Sequence, residues 1–254
     1  MKVTFLGTGT SQGVPVIGSD DPVCLSLDYR DKRLRTSILI EDQEQVFVID
    51  TGPDFRQQML REKVKRLDAV IFTHQHKDHT AGLDDIRSFY FRQKKDMPVY
   101  AKEDVIAQLK MEFAYMFAEH KYPGVASLDI HPITNQAFTI GKTTFNPIEV
   151  LHYKLPIFGF RIHDFTYITD AKYIEDSELE KIKGSKVLVL NALQKEKHIS
   201  HLTLDEALAI VEKVKPEKAY FTHISYKLGF HAEVEKELPP NVHLAYDGLQ
   251  LNIE

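Results

Sequence analysis

In Ala69-Val70-Ile71-Phe72-Thr73-His74-Gln75-His76-Lys77-Asp78-His79-Thr80 an apolar run gives way at once to three imidazoles and a carboxylate within six residues. The apolar run predicts a buried strand. On extended backbone His74 and His76 project to the same side, because side chains alternate with period two, so both can grip one cation. Asp78 and His79 follow where the chain must turn toward the next helix, and they face another direction. Four ligands so closely spaced do not comfortably surround one ion, so two ions side by side are expected. Imidazole and carboxylate without thiolate suit zinc, manganese or iron.

Three more residues sit where predicted strands end: His152 after Ile148–Leu151, Asp170 after Tyr167–Thr169, and His223 after Ala219–Thr222. Strand ends that open into loops are the usual position of site residues in sheet-based enzymes. A lone histidine there is ordinarily a core or surface residue, and it is the density of the His74–His79 cluster that reverses those odds. The alternation of short β-branched or aromatic runs with helical patterns predicts strands near Lys2–Leu6, Thr36–Ile40, Val46–Asp50 and Ala69–Phe72. Helices are predicted near Phe55–Arg61, Leu83–Gln93 and Glu103–Phe117. The second half reads as strands near Phe138–Ile140, Thr143–Val150, Phe158–Ile162, Phe165–Ile168, Lys186–Leu190, Lys218–Phe221, His243–Ala245 and Gly248–Ile253, with a helix near Ala232–Glu237. The best-signalled element is the helix Leu204–Val214, where Thr203 and Glu206 form a capping-box pair and Pro216 follows the end. The mixture predicts an α/β (α+β) fold with sheets covered by helices on their outer faces. No linker, low-complexity block or repeat marks a boundary, so one domain spanning 1–254 is expected.

The 254 residues include 43% apolar and 27% charged side chains, an ordinary globular composition. Thirty-two basic against thirty-seven acidic residues give a net charge of −5, which makes nucleic acid an unlikely partner. One cysteine, Cys24, excludes an intramolecular disulfide and a thiolate zinc cluster made by one chain, and fits a reducing compartment. The N-terminus turns polar and Gly-rich too soon for a signal-peptide apolar region, and no run approaches a membrane span. A cytoplasmic location is the expectation.

His-x-His-x-Asp-His at His74–His79, followed in order by His152, Asp170 and His223, resembles the signature of the metallo-β-lactamase-fold hydrolases. Gly7-Thr8-Gly9-Thr10 and Ile49-Asp50-Thr51-Gly52 extend the likeness over nearly the whole chain. The resemblance implies a four-layer αββα sandwich with metals at one edge. It further implies that His74, His76 and His152 hold the first divalent ion and Asp78, His79 and His223 the second, with Asp170 bridging. The segments Gly7–Pro15, Gly82–Arg87 and His201–Ala207 resemble the PhnP-like phosphodiesterase branch, to which tRNase Z is related. That branch implies His201 as a catalytic group rather than a ligand. It also implies hydrolysis of small, cyclic-ribose-type phosphodiesters by a hydroxide shared between two Zn or Mn ions, in which Asp78 helps to orient the nucleophile. A homodimer is suggested by similarity alone. His201 precedes the capped helix, whose free N–H groups and dipole favour an anion, so an imidazolium there would hold a phosphoryl oxygen and protonate the leaving alkoxide.

The departures are informative. Relatives of this branch often carry Cys-x-Cys-x-x-Cys and a later His around a structural zinc; here those positions are Ser19, Asp21, Cys24 and Tyr226, so no such zinc is expected. The Glu-Ala-Thr stretch of tRNase Z is replaced by Asn191-Ala192-Leu193, and no inserted arm for clasping tRNA is present. Asp50 is expected to orient a ligating histidine through its other ring nitrogen. Arg87 is a candidate for a substrate phosphate, weighed against a solvated helical arginine. His198 is a candidate to assist His201, weighed against a surface role. The rival functions are a tRNA 3′-end endonuclease, a glyoxalase-II-like thioesterase, and a non-catalytic metal-binding sensor.

Overall fold

The computed structural model describes residues 1–253. In chain order the strands are β1 (Lys2–Gly7), β2 (Ser37–Asp42), β3 (Gln45–Ile49), β4 (Ala69–Ile71), β5 (Met97–Ala101), β6 (Leu128–Pro132) and β7 (Phe138–Ile140). There follow β8 (Thr143–His152), β9 (Leu155–Ile162), β10 (Phe165–Tyr167), β11 (Val187–Asn191), β12 (Lys218–Thr222), β13 (Val242–Leu244) and β14 (Gln250–Asn252). They form two seven-stranded sheets, ordered β14-β1-β2-β3-β4-β5-β6 and β13-β12-β11-β10-β9-β8-β7.

Strand alternation explains the layering. In the first sheet Ile38, Ile40, Phe47, Ile49, Ala69 and Ile71 face the other sheet, whose Phe145, Phe158, Phe160 and Tyr167 meet them in a shared core. Their neighbours Leu39, Val48 and Val70 face outward onto Phe55, Met59, Phe89, Ile106 and Leu109 of the helices Phe55–Arg61, Arg87–Gln93 and Glu103–Glu112. The second sheet repeats the arrangement: Leu188, Leu190 and Phe221 pack outward against Leu179, Ile182, Leu204, Ala207 and Val211 of the helices Asp176–Ile182 and Leu204–Val214. With both faces covered, the strands read as continuous apolar runs. The result is the four-layer αββα sandwich of the metallo-β-lactamase fold. No helix among the described residues is long and apolar enough to cross a membrane.

The two sheets share one pairing scheme that no sequence repeat discloses. β1, β2 and β3 pair antiparallel and β3 to β6 parallel; β8, β9 and β10 pair antiparallel and β10 to β13 parallel. β8, β10, β11 and β12 therefore run in one direction and deliver their C-terminal ends to one edge, as β3 and β4 do in the facing sheet. Phe158 N–H donates to Thr73 O (3.1 Å), joining the two sheets at that edge.

Several predicted elements are divided or displaced. The helix predicted over Glu103–Phe117 breaks at Phe113 (φ −113°, ψ 38°) into Glu103–Glu112 and a turn at Ala114–Phe117. The one predicted over Leu83–Gln93 opens with a 3₁₀ turn, Leu83–Ile86, before Arg87–Gln93. The helix Asp176–Ile182 and strand β5 escaped the sequence reading, because each is short and lacks a clean period. The capping box at Thr203 and Glu206 is present as expected.

Candidate metal centre

Asp50 follows β3, His74 and His76 follow β4, His152 ends β8, Asp170 follows β10, and His223 follows β12. Three of these turn sharply out of the strand in the left-handed region: Asp50 (φ 66°), Asp170 (φ 59°) and His223 (φ 55°). Non-glycine residues seldom adopt that conformation, and they persist in it at sites that over-determine it. His76 (φ −63°, ψ 149°) is extended and caps the short helix Lys77–Thr80, which carries Asp78 and His79.

The side chains converge in two groups. Ligand atoms of His74, His76 and His152 lie within 4.8 Å of one another, as do those of Asp78, His79, Asp170 and His223. A third such group joins His152, Asp170 and His201, so Asp170 adjoins both sides of the cluster.

Hydrogen bonds fix which ring nitrogen faces inward. Asp50, fully buried, accepts from Thr73 N (2.9 Å), from Thr73 Oγ1 (2.8 Å) and from His79 Nδ1 (2.7 Å). Because the Thr73 hydroxyl donates to Asp50, its oxygen accepts from His74 Nδ1 (2.9 Å). One carboxylate thus orients two histidines and turns both Nε2 atoms inward. His152 is set the same way, its Nδ1 donating to Ser200 O (2.9 Å). Thr36 Oγ1 and Thr10 Oγ1 lie 3.3 Å from the two nitrogens of His223. Asn191 clamps the Asp170 turn, accepting from Ala171 N (2.8 Å) and donating to Ala171 O (2.9 Å).

The electrostatics call for positive charge. His79 Nε2 is buried without a hydrogen-bond partner and sits 3.3 Å from Asp78 Oδ2 and from Asp170 Oδ2. Burial works against charging that ring, yet Asp78, Asp170 and Asp50 push its pKa well above the ordinary histidine value. Asp170 is held well below the usual carboxylate range by His223 and His79 despite its burial. Burial pushes His74 well below, and His223 and His76 below, their ordinary value, which keeps lone pairs available. Inward imidazole lone pairs and two ionised carboxylates around an orphaned nitrogen fit divalent cations.

His201 lies alongside, its Nδ1 3.8 Å from Asp170 Oδ1 and its ring stacked on His223 at 4.8 Å. Burial, reinforced by His223, pushes its pKa down to about 3, so the ring is neutral in the free chain, before any anion is bound. The helix N-terminus beyond it is also less open than expected. Leu204 N donates to Gln194 O (3.0 Å) and Glu206 N to Thr203 Oγ1 (3.3 Å), which uses two of the first-turn donors.

His198 is half-buried, with its ring 5.1 Å from that of His201. Arg87 is exposed and lies 3.9 Å from Asp84, and the structure does not bring it to the cluster. Ser19 and Asp21 serve a turn: Asp21 accepts from Val23 N (2.9 Å), and Ser19 Oγ from Asp21 N (3.3 Å). Cys24 packs with Val14 and Val23 against Tyr226 and Phe230, a small apolar cluster where relatives carry soft ligands. Thr10, Thr36, Ser200 and Asn191 were not singled out by the sequence as supports of the site, since nothing local distinguishes them.

The fold and this cluster define the class. The model of the beta-lactamase superfamily domain matches residues 45–224, and the chain belongs to that superfamily as a metallo-β-lactamase-fold hydrolase. Within it the chain belongs to the PhnP family. The crystal structure of a new diphosphatase from that family superposes with a TM-score of 0.94 at 39% identity, covering 100% of this chain and 98% of that one. An octanoyltransferase of Porphyromonas gingivalis is 36% identical over all of this chain but only 52% of that protein. A ribonuclease Z of Staphylococcus epidermidis is 25% identical over 64% of this chain and 49% of that protein. The chain thus spans about half the length of these curated relatives.

Proposed function

We propose that the chain, acting as one unit over residues 1–254, hydrolyses a small phosphodiester or diphosphate with the help of two divalent ions, zinc or manganese. The observation that carries this reading is Asp170, which adjoins both candidate ligand groups and also His201. His74, His76 and His152 would hold one ion; Asp78, His79 and His223 the other; Asp170 would join them. Divalent ions, when bound, supply an activated water and draw charge from a phosphoryl oxygen.

The remaining work falls to the chain. Asp78 and Asp170 reduce the positive charge of the centre and orient the attacking water. Asp50 holds His79 and His74 in the tautomer that presents Nε2. His201, neutral in the free chain and beside Asp170, is placed to take up the proton that the attacking water releases and to pass it to the leaving oxygen. An arriving phosphoryl anion raises that ring's proton affinity. The net charge of −5 supports a small-molecule substrate over nucleic acid, and the single cysteine supports a reducing, cytoplasmic setting. The family likeness supports a homodimer.

The second reading is thioester hydrolysis at the same centre, supported by the shared ligand pattern; the octanoyltransferase name belongs to a protein of which this chain spans 52%. Thiol-mediated acyl transfer is not supported, because Cys24 is buried in its own apolar cluster. The test is a side-by-side assay of bis-p-nitrophenyl phosphate, cyclic ribose phosphates, a dinucleoside diphosphate, precursor tRNA and S-lactoylglutathione, with metal content measured in the same sample. His201→Ala is expected to keep its metal and lose about 10²–10⁴-fold in turnover. Loss of metal from that variant, or inertness of the wild type toward every phosphate ester, would overturn the reading.

A further inference from the structure

We infer that Arg35 is the substrate-binding guanidinium of this centre, placed to hold a second phosphoryl group beside the one that reacts. The inference rests on the phosphoryl-transfer reading above and narrows it to substrates with two adjacent anionic groups, as in a diphosphate.

Arg35 precedes Thr36, whose hydroxyl lies 3.3 Å from His223 Nδ1. Its direction is fixed from behind by one carboxylate: its backbone N–H donates to Asp54 Oδ2 (2.8 Å), and its Nε lies 3.1 Å from the same oxygen. The stem runs along Gly52, where an added Cβ would stand 3.5 Å from Arg35 Cβ and 2.2 Å from the carbonyl oxygen of Asp78. The far end reaches Gly13, with Nη1 3.4 Å from the Cβ position there. Gly13 closes a turn by donating to Thr10 O (2.7 Å), and Thr10 Oγ1 is 3.3 Å from His223 Nε2. The side chain therefore runs from a stem beside Gly52, which abuts the Asp78 carbonyl, to a guanidinium at Gly13, in the same turn as Thr10 whose hydroxyl touches His223.

Its two Nη atoms have no protein acceptor among the described residues, and the side chain is 26% exposed. A planar fork with its rear edge held by a carboxylate and its front donors unspent suits bidentate contact with a phosphate. The other candidate guanidiniums are committed elsewhere or stand away from the cluster. Arg33 is buried and donates to Thr8 Oγ1 and Ala245 O, Arg61 donates to Leu6 O, and Arg87 is solvated beside Asp84. Arg35 takes the part that the sequence offered to Arg87. If it were only a strut tying Asp54 to the Thr10–Gly13 turn, its removal would affect every substrate alike.

The test compares Arg35→Gln and Arg35→Lys with wild type, all metal-replete. It measures kcat and KM on bis-p-nitrophenyl phosphate, which carries one charge, and on diadenosine diphosphate, which carries two. Equilibrium binding of inorganic pyrophosphate is measured by calorimetry. Hydrogen bonds to charged groups predict that Arg35→Gln weakens pyrophosphate binding about 10- to 100-fold. Its kcat/KM for the diphosphate should fall by the same factor beyond any fall on bis-p-nitrophenyl phosphate, mainly through KM, with metal content kept. Arg35→Lys, which keeps the charge without the fork, should fall between, and it carries the comparison if Arg35→Gln does not fold. Equal losses on both substrates, or unchanged pyrophosphate binding, would reject Arg35 while leaving the hydrolase reading intact. Arg35-dependent pyrophosphate binding by a protein that hydrolyses neither substrate would do the reverse.

Discussion

Asp50→Asn isolates the role of a carboxylate that lies behind the candidate metal centre. Oδ1 of the asparagine can still accept from Thr73 N, as Asp50 Oδ1 does at 2.9 Å. The amide nitrogen then replaces Oδ2, which accepts from both Thr73 Oγ1 (2.8 Å) and His79 Nδ1 (2.7 Å). A donor would face two donors in a fully buried space. The least costly rearrangement makes His79 Nδ1 an acceptor and moves its proton to Nε2, the atom that faces Asp78 and Asp170 at 3.3 Å. The relay through Thr73 to His74 loses its anchor in the same step. Loss of such an orienting partner typically costs 10- to 100-fold in metal affinity. At about 1.4 kcal/mol per tenfold, that is roughly 1.4–2.8 kcal/mol. Titration with zinc or manganese in a chelator buffer reads the affinity, and circular dichroism with a melting curve checks that the variant is folded. A folded Asp50→Asn with wild-type affinity for both ions would show that the carboxylate does not set the histidine tautomers.

Two further perturbations probe the scaffold. In Gly52→Ala the new methyl would stand 2.2 Å from the Asp78 carbonyl oxygen, a backbone atom that cannot swing away; overpacking of this kind costs about 1–3 kcal/mol. Its melting temperature should fall by several degrees and Asp78 should be displaced, so an unchanged melting curve would show that the close approach is relaxed. Asp247 is buried, accepting from Thr8 Oγ1 and Leu34 N, and burial pushes its pKa up from 3.8 to about 6. Between pH 4 and 6 the folded chain therefore holds a proton that the unfolded chain has released, so this group's contribution to stability falls as pH rises through that window. At about 1.4 kcal/mol per unit the change is roughly 3 kcal/mol. Urea titrations should show Asp247→Asn gaining on wild type by that order from pH 4 to pH 7, and a constant difference between the two would refute the raised value.

The histidines and aspartates that converge at one edge were legible in the sequence because their side-chain types stand out at strand ends, and apolar runs mark where strands end. The capped helix after Thr203 was legible for a similar reason, since its signals lie within one turn. Asp50 was legible as a partner of a histidine in the cluster, though its contact with two rings was not, because the relay through Thr73 depends on rotamers. Arg35 went unnoticed, for an arginine before a strand has no local mark that separates a surface charge from a site group. The charge of His201 in the free chain was not legible for the same kind of reason: burial and the neighbouring His223 lower its pKa, and both arise only in the folded chain.

By itself, then, the sequence determined the chemistry available: imidazole and carboxylate ligands, no second thiol, and strands apolar enough to be covered on both faces. The tertiary structure decided that residues as far apart as His74, His152, Asp170 and His223 share one edge. Pairing order and strand direction are set by packing between distant segments, and only when β3, β4, β8, β10 and β12 point the same way do their ends meet.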